Sequence, residues 1–275
     1  MIGNSSSLTR INDEGKQLYY KKHGNPAGPP IVFLHGLGGT SEYYDPLISS
    51  LGLTKTYSIH QLDLEGHGLS PPSALSTPSI SSFVDDVKCI FSLAGISTAS
   101  PAILIGSSMG SIIATVFAIQ NPGLVHKLIL LGPPPCPLPA AGRNATHARA
   151  AVVRGRGMSA VADTVATAAT STFTKTRKPA AYMAVRSTLL SQSPECYARA
   201  CTALANETGS LDLGSLTCQT LIITGDEDKV SPPSTCSVIA SSIPNCKAPV
   251  VLKEVGHWHV FEDIDGVSRS IRAFL

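Results

Sequence analysis

No CxxC pair, no HExxH run and no loop ending in GK[ST] occurs in the sequence, which removes the usual signatures of a structural zinc site, a zinc protease and a phosphate-binding loop. Internal repeats and low-complexity tracts are absent too, so a solenoid or fibrous chain is excluded. The opening stretch MIGNSSSLTRINDEGK lacks both the basic and the apolar segment of an export signal, and a cytoplasmic location is the expectation. Seven cysteines, an odd number scattered along the chain, fit no disulfide framework and read as reduced, mostly buried thiols. The sequons at Asn144 and Asn206 then mark surface loops rather than glycans.

Charge is scarce at 15% of residues against 43% hydrophobic, the reverse of a disordered chain. Between Cys89 and Val125 there is no Asp, Glu, Lys or Arg at all, a length that could cross a bilayer. Pro101, Gly106, Gly110 and Pro122 interrupt it, so a soluble core is the better reading. The net charge of +2 is uneven: nine basic residues stand against Asp163 and Glu195 between Ala140 and Ala205, an excess of +7. Nucleic acid and membrane are not expected partners, and 275 residues suffice for one main core with an insertion.

Short apolar runs at 29–36, 57–63, 101–107 and 125–132 read as buried strands, and helix-like windows lie between them. The window at 78–95 repeats apolar Ile80, Phe83, Val84, Val87, Ile90 and Phe91 at helical spacing. Alternation of this kind predicts a mostly parallel, doubly wound α/β sheet. Prolines at 133–139 end the pattern, and the Ala-, Thr- and Arg-rich stretch that follows predicts four helices near 144–156, 158–172, 178–191 and 194–206. Strands resume at 218–225 and 248–256 with a helix between, and 259–275 reads as one amphipathic helix. The expected division is a core of 1–135 and 208–275 with a helical cap at 136–207.

The chemistry is carried by GSSMG, which satisfies G-x-S-x-G with Gly106, Ser108 and Gly110 directly after a buried strand and before a helix. That register selects Ser108 over Ser107 and lifts it above the sheet at a helix N-terminus, where developing negative charge is favoured. A serine hydroxyl needs a base, and the base an orienting acid. The loop after the strand at 218–225 offers Asp226, Glu227 and Asp228 as the acid. His257 follows the last strand at the same sheet edge and is the base, with His259 as runner-up. Backbone N–H groups of Leu37, in LHGLGG, and of Met109 are the predicted oxyanion donors, each worth about 2.7 to 4 kcal/mol when preorganised. His35, His67 and the HWH at 257–259 could converge on a metal, but no ligand spacing supports one, and neither metal nor cofactor is expected.

With these residues assembled, the chain resembles the α/β-hydrolase superfamily over nearly its whole length. Gly225, Asp228 and Pro232 match the family's G-x-x-D-x-x-x-P turn, which selects Asp228 as the acid. DLEGHGLS at Asp63 to Ser70 is similar to the family's D-x-R-G-x-G-x-S loop, with Glu65 in place of Arg. RGRGMSAVADTVATAATSTF and MAVRSTLLSQSPECYARACTAL resemble the cap of 3-oxoadipate enol-lactonases. That resemblance implies attack by Ser108 on a lactone, departure of an enolate that becomes a ketone, and attack by water assisted by His257. It also implies a substrate carboxylate that suits the +7 of the cap, with Arg154 and Arg156 as expected contacts beside His35 and Trp258. The expected activity is hydrolysis of a lactone or small ester by a monomer or weak homodimer. The alternatives are carbon–carbon bond hydrolysis with the same triad and a non-enzymatic ligand receptor on this fold.

Overall fold

Eight strands hydrogen-bond in the order β1-β2-β4-β3-β5-β6-β7-β8 in a computed structural model that describes residues 5–12, 15–74 and 76–275. Residues 1–4, 13 and 14 of the stretch read for an export signal lie outside the described residues. The strands are β1 (Ser5–Arg10), β2 (Gln17–Gly24), β3 (Pro30–Leu34), β4 (Ser58–Leu62), β5 (Ala102–Ser107), β6 (Val125–Leu131), β7 (Gln219–Gly225) and β8 (Val250–Leu252). From β4 to β8 every pairing is parallel, while β1 and β2 add an antiparallel edge. This is the mostly parallel, doubly wound α/β sheet expected from the alternating pattern.

Helices α1 (Asp45–Leu51), α2 (Ile80–Ala94) and α3 (Met109–Gln120) connect the first strands. Between β6 and β7 come α4 (Ala140–Arg156), α5 (Ala162–Ala169), α6 (Thr172–Arg177), α7 (Pro179–Leu190) and α8 (Pro194–Asn206), followed after β7 by α9 (Pro233–Ser241), α10 (His259–Glu262) and α11 (Ile264–Phe274). Successive strand residues alternate between the two layers of core. Val32, Leu34, Leu104, Leu128 and Leu130 pack with α2, α3 and α9, whereas Ile31, Phe33, Ile105, Ile129 and Ile223 pack with α1 and α11. Because both faces are covered, β3 and β5 are apolar runs rather than alternating, and β4 buries Ser58, His60 and Gln61 along with its apolar residues. In α2 the stripe from Ile80 to Phe91 is wholly buried, each side chain contributing about 2 kcal/mol. Ser79 starts that helix by accepting a hydrogen bond from the Ser82 N–H, while the Ser82 hydroxyl caps the Ser79 N–H in return.

The sequence expectations differ from the fold in several places. They do not include the β1–β2 ribbon, because SSSLTR and QLYYKKHG carry polar and charged residues suited to a half-exposed edge. The helix expected over 158–172 stops at Ala169, and Ser171 caps the separate α6 by accepting from the Thr174 N–H. The closing helix breaks at Asp263, whose carboxylate accepts from the Gly266 N–H and so starts α11 anew. Asn144 lies within α4 and Asn206 ends α8, so the two sequons sit on helices rather than loops, both exposed. All seven cysteines are free thiols. Among the described residues no helix is long and apolar enough to cross a membrane, and the uncharged stretch 89–125 folds into the end of α2, β5 and α3.

Candidate active site

The carboxyl ends of β3, β5, β7 and β8 open onto one edge of the sheet, the usual location of sites in open α/β folds. At the turn from β5 into α3, Ser108 adopts φ 52° and ψ −120°, one of two non-glycine residues with positive φ among the described residues. The turn is possible because its glycines have no Cβ: one at Gly106 would lie 2.4 Å from the Gly110 carbonyl oxygen, and one at Gly110 2.4 Å from that of Leu34. Ser108 is thereby pushed out of the sheet, whereas Ser107 remains the last residue of β5 and is buried.

His257 lies in the loop after β8 rather than directly behind the strand, because β8 ends at Leu252 and does not run on to Gly256. Its Nε2 is 2.8 Å from Ser108 Oγ and its Nδ1 2.8 Å from Asp228 Oδ2. Asp228 follows β7 by three residues and is fully buried at its side chain. The other oxygen, Oδ1, accepts the Val230 and Ser231 N–H groups at 2.9 and 2.8 Å. Burial alone would raise the Asp228 pKa, but the attraction and hydrogen bond of His257, reinforced by His259, hold it well below the usual carboxylate range. Asp226, the other candidate acid, instead accepts the Val255 N–H at 3.3 Å and ties the ends of the β7 and β8 loops together.

Met109 follows Ser108 as the first residue of α3, and Leu37 lines the same cavity as Ser108, next to Gly36, where a Cβ would lie 2.9 Å from that of Ser108. His35 fixes the loop that carries Leu37. Its Nδ1–H donates to the Gly36 carbonyl at 2.8 Å and its Nε2 accepts the Leu64 N–H at 2.9 Å. Burial lowers its pKa to about 4, so the ring is neutral as this pairing requires. The expectation that His35 contacts substrate is therefore corrected: it is fully buried, with both ring nitrogens occupied. Glu65, at the Arg position of the family loop, is also buried and structural. It accepts from the Ser73 N–H and Ser76 hydroxyl and pairs with Lys16, which also pairs with Asp86.

Ser108 and His257 open on a cavity of about 470 Å³ between the sheet edge and helices α4, α5 and α8. Trp258 lines it as expected, stacked at 5.9 Å on Phe261 and edge-on to Tyr43. Arg154 and Arg156 do not line it: Arg154 is paired with Glu195 at 2.9 Å, and Arg156 is exposed at the end of α4. In their place stands Arg149. Together with Gly142, Ala145 and Thr146 it forms the i, i+3, i+4, i+7 stripe by which α4 faces the cavity. Its guanidinium lies over the Tyr197 ring at 5.9 Å, and its shielded Nε has no hydrogen-bond partner. Lys229 is the second cation of the wall, and no Asp or Glu lines the cavity among the described residues. The regional charge excess pointed to the helices but not to the residue; helical spacing from Gly142 was the available signal. The same residues hold no cluster of three or more His, Cys, Asp or Glu suited to a metal.

A family profile described as serine aminopeptidase, S33, matches residues 26–263. Among characterised relatives, the sn-1-specific diacylglycerol lipase of Xenopus laevis is 34% identical over 134 residues, 48% of this chain and 40% of the relative. The (E)-2-((N-methylformamido)methylene)succinate hydrolase of Acinetobacter baylyi is 32% identical over 46% of this chain and 44% of its own length. The alignments thus span less than half of either relative. Among solved structures, a thermophilic esterase from Thermogutta terrifontis superposes with a TM-score of 0.87 at 24% identity, covering 99% of this chain and 97% of the other. An enol-lactonase from Burkholderia xenovorans superposes with a TM-score of 0.84 at 22% identity, covering 98% and 99%. At these identities the likeness is one of fold.

Proposed function

Because the chain belongs to the serine aminopeptidase S33 family of α/β-hydrolases, we propose that it hydrolyses a lactone or small carboxylic ester through Ser108, His257 and Asp228. The observation that carries this reading is the continuous hydrogen-bonded line from Ser108 Oγ through His257 to Asp228 at the mouth of a closed-over cavity. Asp228, an ionised acceptor, keeps the proton of neutral His257 on Nδ1 and leaves the Nε2 lone pair for the serine hydroxyl.

Ser108 Oγ attacks the carbonyl carbon as its proton passes to His257 Nε2. The oxyanion forms between the Leu37 and Met109 N–H groups, the latter at the first turn of α3. His257 returns the proton to the departing oxygen, giving an acyl-enzyme. A water deprotonated by His257 then attacks the acyl carbon, and Ser108 departs with the proton. With an enol-lactone the departing oxygen that takes this proton is that of an enol, which tautomerises to the ketone and makes the ring opening irreversible. Helices α4–α8, inside the segment 136–207, act as the cap that shapes the substrate site. Arg149 and Lys229, the cations of an otherwise mostly apolar wall, favour a substrate bearing a free carboxylate.

A panel of lactones and short-chain esters assayed on wild type and folded Ser108→Ala tests the reading. Turnover by the wild type, lost in the variant, is expected, together with acylation of Ser108 by a serine-reactive probe. Equal turnover by both proteins overturns it. Ligand binding without turnover or acylation indicates a receptor instead.

A further inference from the structure

His259 does nothing in the mechanism above, yet its ring is fully buried beside the acid. Its Nε2 lies 3.4 Å from Asp228 Oδ2, the oxygen that also takes the His257 proton, and neither of its ring nitrogens has a conventional hydrogen bond. The two imidazoles stand at 64° to one another with centroids 5.8 Å apart. Gly132, at the end of β6, makes room for the group: a Cβ there would lie 2.6 Å from the His259 ring, 3.0 Å from Asp228 Oδ2 and 3.1 Å from His257 Nδ1.

This placement determines the tautomer. A neutral ring protonated on Nδ1 would aim the Nε2 lone pair at a carboxylate oxygen, a repulsive contact at a ring shut off from bulk solvent. Protonation on Nε2 turns the same approach into an attraction. The remaining nitrogen, Nδ1, is then a buried acceptor without a donor, an arrangement that an apolar side chain would avoid, so packing alone does not account for the imidazole. The titratable groups around it are Asp228, His257, Tyr43 and Glu262. Of these, Glu262 is occupied by the Ser171, Gly256 and Trp258 N–H groups, and the Tyr43 hydroxyl accepts the Val260 N–H.

We propose that His259 is a positioning residue that acts through Asp228: its Nε2–H and the His257 Nδ1–H share Oδ2, and this second donor fixes the carboxylate orientation that keeps His257 facing Ser108. With Oδ1 held by the Val230 and Ser231 N–H groups, both oxygens are then restrained and the carboxylate cannot swing as His257 gains and loses its proton. The shared donor also draws charge from Oδ2 and moderates how strongly Asp228 favours the imidazolium. The proposal rests on the serine hydrolase reading.

Two variants and one spectrum test it. His259→Met keeps bulk without a donor, and His259→Gln restores an N–H at the Nε2 position. With a neutral ester, the Met variant is expected to lose about tenfold in kcat, the scale of one charge-assisted hydrogen bond, with KM within about twofold. Its acid limb in kcat/KM moves up by about half a pH unit as Oδ2 regains charge. The Gln variant recovers most of both. Parental kcat and pH limb in folded His259→Met, or a folded Gln variant as impaired as Met, overturns the proposal. Nitrogen NMR of 15N-histidine-labelled wild type decides independently of any variant's folding: His259 protonated on Nε2 is expected, and a neutral Nδ1–H tautomer overturns it. Should Ser108→Ala retain full turnover, the hydrolase reading fails, while the tautomer still reports on His259 separately.

Discussion

Two adjacent serines separate on backbone conformation alone: Ser107 closes a strand, and Ser108 takes a positive φ that brings its hydroxyl to His257. On the proposed reading, substrate preference turns on Arg149 in the same local way, since its Nε is shielded from solvent with no hydrogen-bond partner. Arg149→Met is expected to raise KM for a carboxylate-bearing ester by roughly tenfold to a hundredfold, the effect of losing about 1.5–3 kcal/mol of charged hydrogen bonding. KM for an uncharged ester of equal size should stay within about twofold, and steady-state kinetics on the matched pair decides. An equal loss on both esters would make Arg149 a packing residue. At this scale the sequence was legible where chemistry imposes spacing. Ser108 stood out by its flanking glycines and His257 by its place after a strand, whereas Asp228 was separated from Asp226 and Glu227 only by resemblance to the family's G-x-x-D-x-x-x-P turn. Arg149 did not, because regional charge says nothing about which face of α4 a side chain occupies.

Elements were legible in proportion to how completely they are buried. Strands β3 to β7 are short, mostly buried runs with both faces covered, and each lies within two residues of its expected limits at either end. The β1–β2 ribbon escaped notice because it is half solvated, and α5 and α6 merged because Ser171 looks like any polar helix residue until its hydroxyl accepts the Thr174 N–H. The edge ribbon is nonetheless anchored. Lys16, between its two strands, pairs in the interior with Glu65 at 2.7 Å and Asp86 at 2.6 Å. Lys16→Met leaves two buried carboxylates without a counter-ion, and urea denaturation at pH 8 should show a loss of about 3–5 kcal/mol. Burial already raises the Asp86 pKa to about 6 from 3.8. In the window between those values the folded state holds more protons than the unfolded, so the variant should recover stability as pH falls from 8 to 5. A loss that does not diminish at pH 5 would contradict this account.

For the whole molecule, one buried carboxylate joins the helical layer to the sheet through several hydrogen bonds. Glu262 accepts the Ser171 N–H and Thr174 hydroxyl from the start of α6, and the Gly256 and Trp258 N–H groups on either side of His257. Lys178, before α7, donates to the Glu262 carbonyl oxygen as well. Glu262→Ala strands several buried donors together and is expected to cost about 3 kcal/mol or more in urea denaturation. It should also raise KM, as the wall formed by Val165, Ala169 and Trp258 loses its common tether. Parental stability would show that solvent replaces the carboxylate and that apolar packing and the remaining hydrogen bonds, such as those of Thr172 to Glu227, hold the two layers together. The α/β class and the helical insertion were both legible from strand–helix alternation and its interruption by prolines. This tether was not, because it joins side chains far apart in the chain.

The helical layer sits in the chain between the nucleophile's strand and those that deliver the acid and base, and 149 positions separate Ser108 from His257. On the proposed reading, therefore, Ser108 leaves the ribosome well before the acid and base that would activate it. A nascent or truncated chain that stops short of β8 lacks His257 and so cannot assemble the proposed triad, which ties hydrolytic competence to completion of the sheet.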